Sequence, residues 1–213
     1  MNPRKTRYIN SIFFGLAAVA LLQACDKTDN SATAKLPDAA SPVAEVYGEA
    51  IHTTNADEIQ AIILTHLFDR YAKEQNIAVS DEEVNTFVDE MRKGMRAKGL
   101  TAEDGLTPEE LAQVQQMRRD MGHSIIRQWK LNRALYQQYG GRIIAQQLGP
   151  EPLDAYRHYL QERESAGDFS IYREDIKEAF WKYFTDESIH QFYESGSEAE
   201  TQAFEVPPWK KTH

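Results

Sequence analysis

Two pairs of side chains stand at a spacing that metal chemistry uses. Glu187 and His190, and Asp120 and His123, are three positions apart, which on a helix brings carboxylate and imidazole to one face. The Glu-x-x-His pair is a unit of carboxylate-bridged two-metal sites in helical bundles, but such a site takes two of these pairs and a carboxylate from each of two further helices. This chain has one full pair, Glu187…His190, and charged residues at this spacing are ordinarily solvated neighbours. No metal ligand and no cofactor is expected. Nucleophilic chemistry fares no better, because there is no Gly-x-Ser-x-Gly elbow, no Ser-x-x-Lys and no phosphate-cradling glycine loop. The 33 Asp and Glu residues fix no pair at the separation a glycosidase needs. The chain therefore reads as a non-enzyme, with no catalytic residue.

The remaining chemistry belongs to Cys25, the only cysteine. It follows a start carrying Arg4, Lys5 and Arg7 and an uncharged, almost wholly apolar run from Ile12 to Leu22. A basic start, a short apolar run and a small residue before the cut make an export signal. The 13 residues from Ile12 to Ala24 are too few to span a hydrocarbon core, which takes about 20 as a helix. The stretch Leu22-Gln23-Ala24-Cys25 resembles the end of a bacterial lipoprotein signal peptide. The resemblance implies cleavage before Cys25 and acylation of its sulfur and new amino terminus, so that acyl chains such as palmitate hold the protein in a membrane. It places the chain in the cell envelope, on the periplasmic side. Asp26 resembles the sorting residue that retains enteric lipoproteins in the inner membrane, which favours that membrane over the outer one.

Loss of residues 1–24 removes three of the 24 Lys and Arg and none of the 33 Asp and Glu, so the formal charge moves from −9 to −12. Such a surface repels phosphate backbones, and no nucleic-acid partner is expected. With Cys25 acylated, no thiol remains for a disulfide or a cysteine–zinc site. Residues 25–45 form the lipidated cysteine and a flexible tether. The sequence from Asp26 to Glu45 has two prolines, no aromatic residue and no apolar periodicity, so it cannot offset its ordering entropy. Its reach is at most roughly 70 Å.

The elements that must position any site are helical. Val46 to Ile51 reads as a short strand or tight bend. Thr54 or Asn55 caps a first helix ending near Gln75. Ser80 with Glu83 forms a capping box for a second, striped by Val84, Phe87, Val88, Met91 and Met95. Thr107, Pro108 and Glu110 start a third of about 30 residues, striped by Leu111, Val114, Met121, Ile125, Trp129 and Leu135, with Gly122 as a kink and Gly140-Gly141 as its end. Residues 142–148 are ambiguous and 149–152 are a break. Further helices are expected near 153–165, 173–184 and 187–194. The fold class is all-α: an irregular domain of about six helices over residues 46–195, around one long central helix, with at most one short amino-terminal strand. Residues 196–213 read as a tail.

The order of elements in residues 46–139 resembles the amino-terminal chaperone domain of SurA-type periplasmic folding factors. Its most specific stretch is Ile77-Ala78-Val79-Ser80-Asp81-Glu82-Glu83-Val84, after a helix ending Tyr71-Ala72-Lys73-Glu74-Gln75-Asn76. The resemblance implies binding of unfolded or partner polypeptides. It stops where a parvulin-type isomerase domain would begin, since residues 142–213 show no strand-rich pattern, so prolyl isomerisation is not expected. Phe180, Trp181, Phe184 and Tyr193 are the candidate polypeptide-binding residues. The aromatics from Phe180 to Tyr193 are too many for one face of two short helices, and they serve either as core against the third helix or as an adaptable binding face. Two rival readings stand beside this one: a metal-binding helical bundle or enzyme, carried by the Glu187…His190 and Asp120…His123 pairs, and a structural lipoprotein docked onto an envelope complex.

Overall fold

The computed structural model describes residues 41–100, 103 and 105–210. The export signal, Cys25, Asp26 and most of the tether lie outside the described residues. The chain is largely helical. A hairpin of β1 (Ala44–Val46) and β2 (Glu49–Ile51) leads into α1 (Ala56–Glu74), α2 (Asp81–Ala97) and α3 (Pro108–Tyr139). A second hairpin, β3 (Ile144–Gln146) and β4 (Gly149–Glu151), precedes α4 (Leu153–Ser165), β5 (Phe169–Ile171) and α5 (Glu174–Thr185). A 3-10 turn (Glu187–Ile189), the four-residue α6 (Glu198–Thr201) and a last 3-10 turn (Pro208–Lys210) follow. No helix among the described residues is long and apolar enough to cross a membrane.

Local chemistry sets the helix starts. Asn55 accepts from the N–H groups of Asp57 and Glu58. Ser80 with Glu83, and Thr107 with Glu110, form reciprocal capping boxes, each satisfying two otherwise unpaired backbone donors. Pro108 occupies the first helical position, where its missing N–H has no cost.

The five short strands correct the expectation of at most one. Tyr47 and Gly48 both have positive φ, 50° and 81°, the geometry of a type I′ turn that closes a hairpin tightly. The Arg70 guanidinium lies over the Tyr47 ring at 4.6 Å. β5 then pairs antiparallel with the other side of β1, giving the order β2-β1-β5. In the second hairpin, Pro150 has no N–H to donate and sits in the outer strand, where proline is tolerated. The helix expected at 187–194 is also corrected. Only a 3-10 turn forms there, and residues 191–193 run extended along β3, with Ala145 N–H donating to Gln191 O and Tyr193 N–H to Ile143 O.

The main core packs the β2-β1-β5 sheet with α1, α4, α5 and the end of α3, around Ile59, Ile63, Leu67, Leu135, Leu160 and Phe180. The Tyr159 hydroxyl, donating to Leu67 O at 2.9 Å, ties α4 to α1. A second cluster joins Val84, Phe87 and Val88 of α2 to Ile126 of α3. A third gathers Trp129, Ile143, Ala203 and Phe204. The segment expected as a tail from residue 196 thus folds back onto α3 and adds to the core.

α3 is one continuous helix of 32 residues. Its buried positions run Arg118, Gly122, Ile126 and Trp129, one residue away from part of the expected stripe, and Met121 is exposed. Gly122, expected as a kink, instead admits Phe87: a Cβ there would lie 2.9 Å from Phe87 Cδ1. Arg118 is buried with its guanidinium on Glu103.

Candidate functional site

The four aromatic candidates divide. Phe180 and Phe184 are 1% exposed. They repeat four residues apart on α5 and meet at a tilt with centroids 5.8 Å apart, and Phe180 meets Phe169 in the same way at 5.5 Å. They are core and not a binding face, because the Ile176, Phe180, Phe184 stripe of α5 is buried in the main cluster. Trp181 is half-buried and meets Phe180 and Phe184 edge-on. Tyr193 is half-buried against the Trp129 cluster.

The two carboxylate–imidazole pairs are otherwise engaged. Glu187 and His190 do not share a helix, and the Glu187 carboxylate takes both Arg142 Nη atoms at 2.9 and 2.6 Å. His190 Nε2 lies 2.6 Å from Tyr183 O. Asp120 accepts from Gln116 Nε2 at 2.8 Å, and His123 is exposed. No three His, Cys, Asp or Glu side chains converge among the described residues.

The structure assembles a polar cluster that the sequence reading missed. α3 supplies Gln128 and Asn132, β3 supplies Gln146, β4 Glu151, α4 Tyr156 and α5 Tyr183. The Tyr183 hydroxyl donates to Glu151 Oε1 at 2.8 Å and accepts from Gln146 Nε2 at 2.9 Å. The Tyr156 hydroxyl donates to Asn132 Oδ1 and accepts from Gln128 Nε2 at 2.7 Å, while Asn132 Nδ2 donates to Pro150 O at 2.9 Å. Burial pushes the Glu151 carboxyl up to about 7, against the Tyr183 hydrogen bond, which lowers it. Burial, with the Glu151 charge beside them, raises both tyrosines well above their ordinary range. The cluster can hold or release one proton near neutral pH. Its members come from five elements, so no sequence spacing announces it, and Glu151 was hidden in a stretch read as a break.

Beside it, Asp154 anchors the end of α3 to α4. Its Oδ2 accepts from the backbone N–H and Nε of Arg142, both at 2.9 Å, and Oδ1 accepts from Arg157 at 3.0 Å. Burial raises the Asp154 carboxyl, but the Arg142 hydrogen bonds outweigh that and hold it below the usual carboxylate range.

Two further surface features stand out. All four methionines beyond Met1 lie on α2 and α3: Met91 and Met95 are partly buried, while Met117 and Met121, one turn apart, are 64% and 42% exposed. The second feature is a strap, residues 198–210, laid over α3. Phe204 packs on Tyr136 with centroids 5.1 Å apart, and Trp209 meets Trp129 at 5.9 Å and Phe87 at 5.5 Å. Pro208 lies against Gly149 of the second hairpin. A shallow cleft between β2 and α1, lined by Ile51, His52, Ile62 and His66, adds little enclosure. Comparison with protein-family models, with curated proteins and with solved structures found no match.

Proposed function

We propose that this chain is a lipid-anchored protein of the bacterial cell envelope that binds unfolded or partner polypeptides without catalysis, in the manner of a chaperone. In this reading Cys25 carries the acyl chains, Asp26 favours the inner membrane, and the folded residues work on the periplasmic side. The Leu22-to-Cys25 pattern and the SurA-like order of residues 46–139 support it. The observation that carries it is the exposed Met117 and Met121 pair on α3, since methionine gives an apolar surface that re-packs around varied partners. α3 then serves as organiser as well, because Ile126, Trp129 and Leu131 each belong to a different core cluster.

The test is binding of reduced, carboxymethylated α-lactalbumin, a permanently unfolded polypeptide, followed by fluorescence anisotropy. The double substitution Met117→Gln, Met121→Gln should weaken binding roughly five- to tenfold, the order expected for removing two apolar contacts. An unchanged affinity, or no binding by the parent protein, contradicts the proposal.

A second reading, an enzyme using a carboxylic acid near neutral pH, has the Glu151–Tyr183 pair in its favour. Carbodiimide coupling at pH 6 tests it. Modification of Glu151 ahead of the exposed carboxylates would support this reading, and an unmodified Glu151 would oppose it.

A further inference from the structure

We infer that the strap of residues 198–210 is a removable occupant of a polypeptide-binding groove floored by Trp129, and that an extended, aromatic-bearing polypeptide segment takes its place. This rests on the polypeptide-binding reading and assigns it a second site, beside the methionine face of α3.

The first ground is how the strap is held. Among the described residues, every hydrogen bond made by residues 196–210 stays within residues 194–210. No ion pair ties them to other described residues. Attachment is by side-chain packing alone: Ala203 and Phe204 on Ile143 and Tyr136, Pro208 on Gly149, Trp209 between Trp129 and Phe87. The contrast with residues 191–193, hydrogen-bonded along β3, is sharp. A segment without backbone bonds to its neighbours can leave without stranding any donor or acceptor on the body.

The second ground is Trp129 itself. It is 6% exposed, yet its indole Nε1 has no acceptor among the described residues. Buried indole N–H groups are normally paired. The strap fills the apolar groove and leaves this donor unused. A segment lying extended beside Trp129 could offer a backbone carbonyl to Nε1 while its aromatic side chains occupy the Phe204 and Trp209 positions. The partner chemistry follows: an unfolded chain with free carbonyls and aromatic side chains.

The test uses a fluorescein-labelled peptide of residues 196–210 and the full mature protein. In the parent, the attached strap competes at high effective concentration, so the peptide should bind weakly. The variant Phe204→Ala, Trp209→Ala should bind it roughly tenfold or more tightly. A folded double variant that binds the peptide no better than the parent overturns the inference. Hydrogen exchange on the parent protein is a check that requires no folded variant. Amides of residues 201–205 should exchange far ahead of Leu131 and Leu135, and exchange of both sets only through global unfolding overturns the inference. If the double variant binds the peptide but not unfolded α-lactalbumin, the strap inference stands and the unfolded-chain reading fails.

Discussion

Trp209 meets Trp129 edge-on, with centroids 5.9 Å apart, and so joins the carboxyl-terminal turn to the middle of α3. Through Phe87 the same indole also reaches α2. One side chain near the end of the described residues thus links two core clusters.

Trp129→Ala removes the floor of this contact. Truncating a buried tryptophan costs ~3–5 kcal/mol, a large share of the roughly 5–15 kcal/mol that holds a domain together. Thermal denaturation should show a fall of many degrees in the midpoint. A fall of only a degree or two would show that Trp129 is not part of the core that holds α3.

Gly122→Ala tests the approach of α2 to α3. Its Cβ would lie 2.9 Å from Phe87 Cδ1, and overpacking of this kind costs about 1–3 kcal/mol. Phe87→Leu should relieve the clash, so the double variant should be more stable than the sum of the single losses implies. Strict additivity in urea denaturation would contradict the contact.

The capping boxes at Ser80 and Thr107 and the length of α3 were legible because their causes lie within four residues of one another or in a simple apolar repeat. β5 was not, since Phe169–Ile171 becomes a strand only by pairing with β1, far away in sequence. Phe180 and Phe184 were visible as aromatics, but burial depends on which face α5 turns to the sheet. The strap was missed because polar, proline-containing residues 196–208 mask the two side chains that fix it, Phe204 and Trp209.

Glu151→Gln should change the pH dependence of stability. The folded carboxyl, raised to about 7, holds a proton between about pH 4.5 and 7 that the unfolded chain releases, so stability falls as pH rises through that window. The burial penalty is absent below the window and fully present above it. Glutamine keeps an acceptor for Tyr183 and removes the charge, so the variant should gain up to roughly 3 kcal/mol at pH 8 and little at pH 4. Equal stabilities at pH 8 would show that the carboxylate is well solvated.

Asp154→Asn should act with the opposite sign. The folded carboxyl is held low by Arg142, so its contribution is present above the ordinary carboxylate range and lost as pH falls through its depressed folded value. The variant should lose on the order of 1–3 kcal/mol at pH 7, and the two proteins should converge at strongly acidic pH. A difference that does not vary with pH would place the loss in packing instead of charge.

Polypeptide docking on the methionine face of α3 is tested most directly by a photo-crosslinking residue at position 117 in living cells, with exposed Gln115, on the other side of the same helix, as the comparison site. Position 117 should capture many envelope polypeptides and position 115 few. Capture of one fixed partner would replace client binding with docking onto an envelope complex, and equal, low capture at both positions would contradict polypeptide binding by this face.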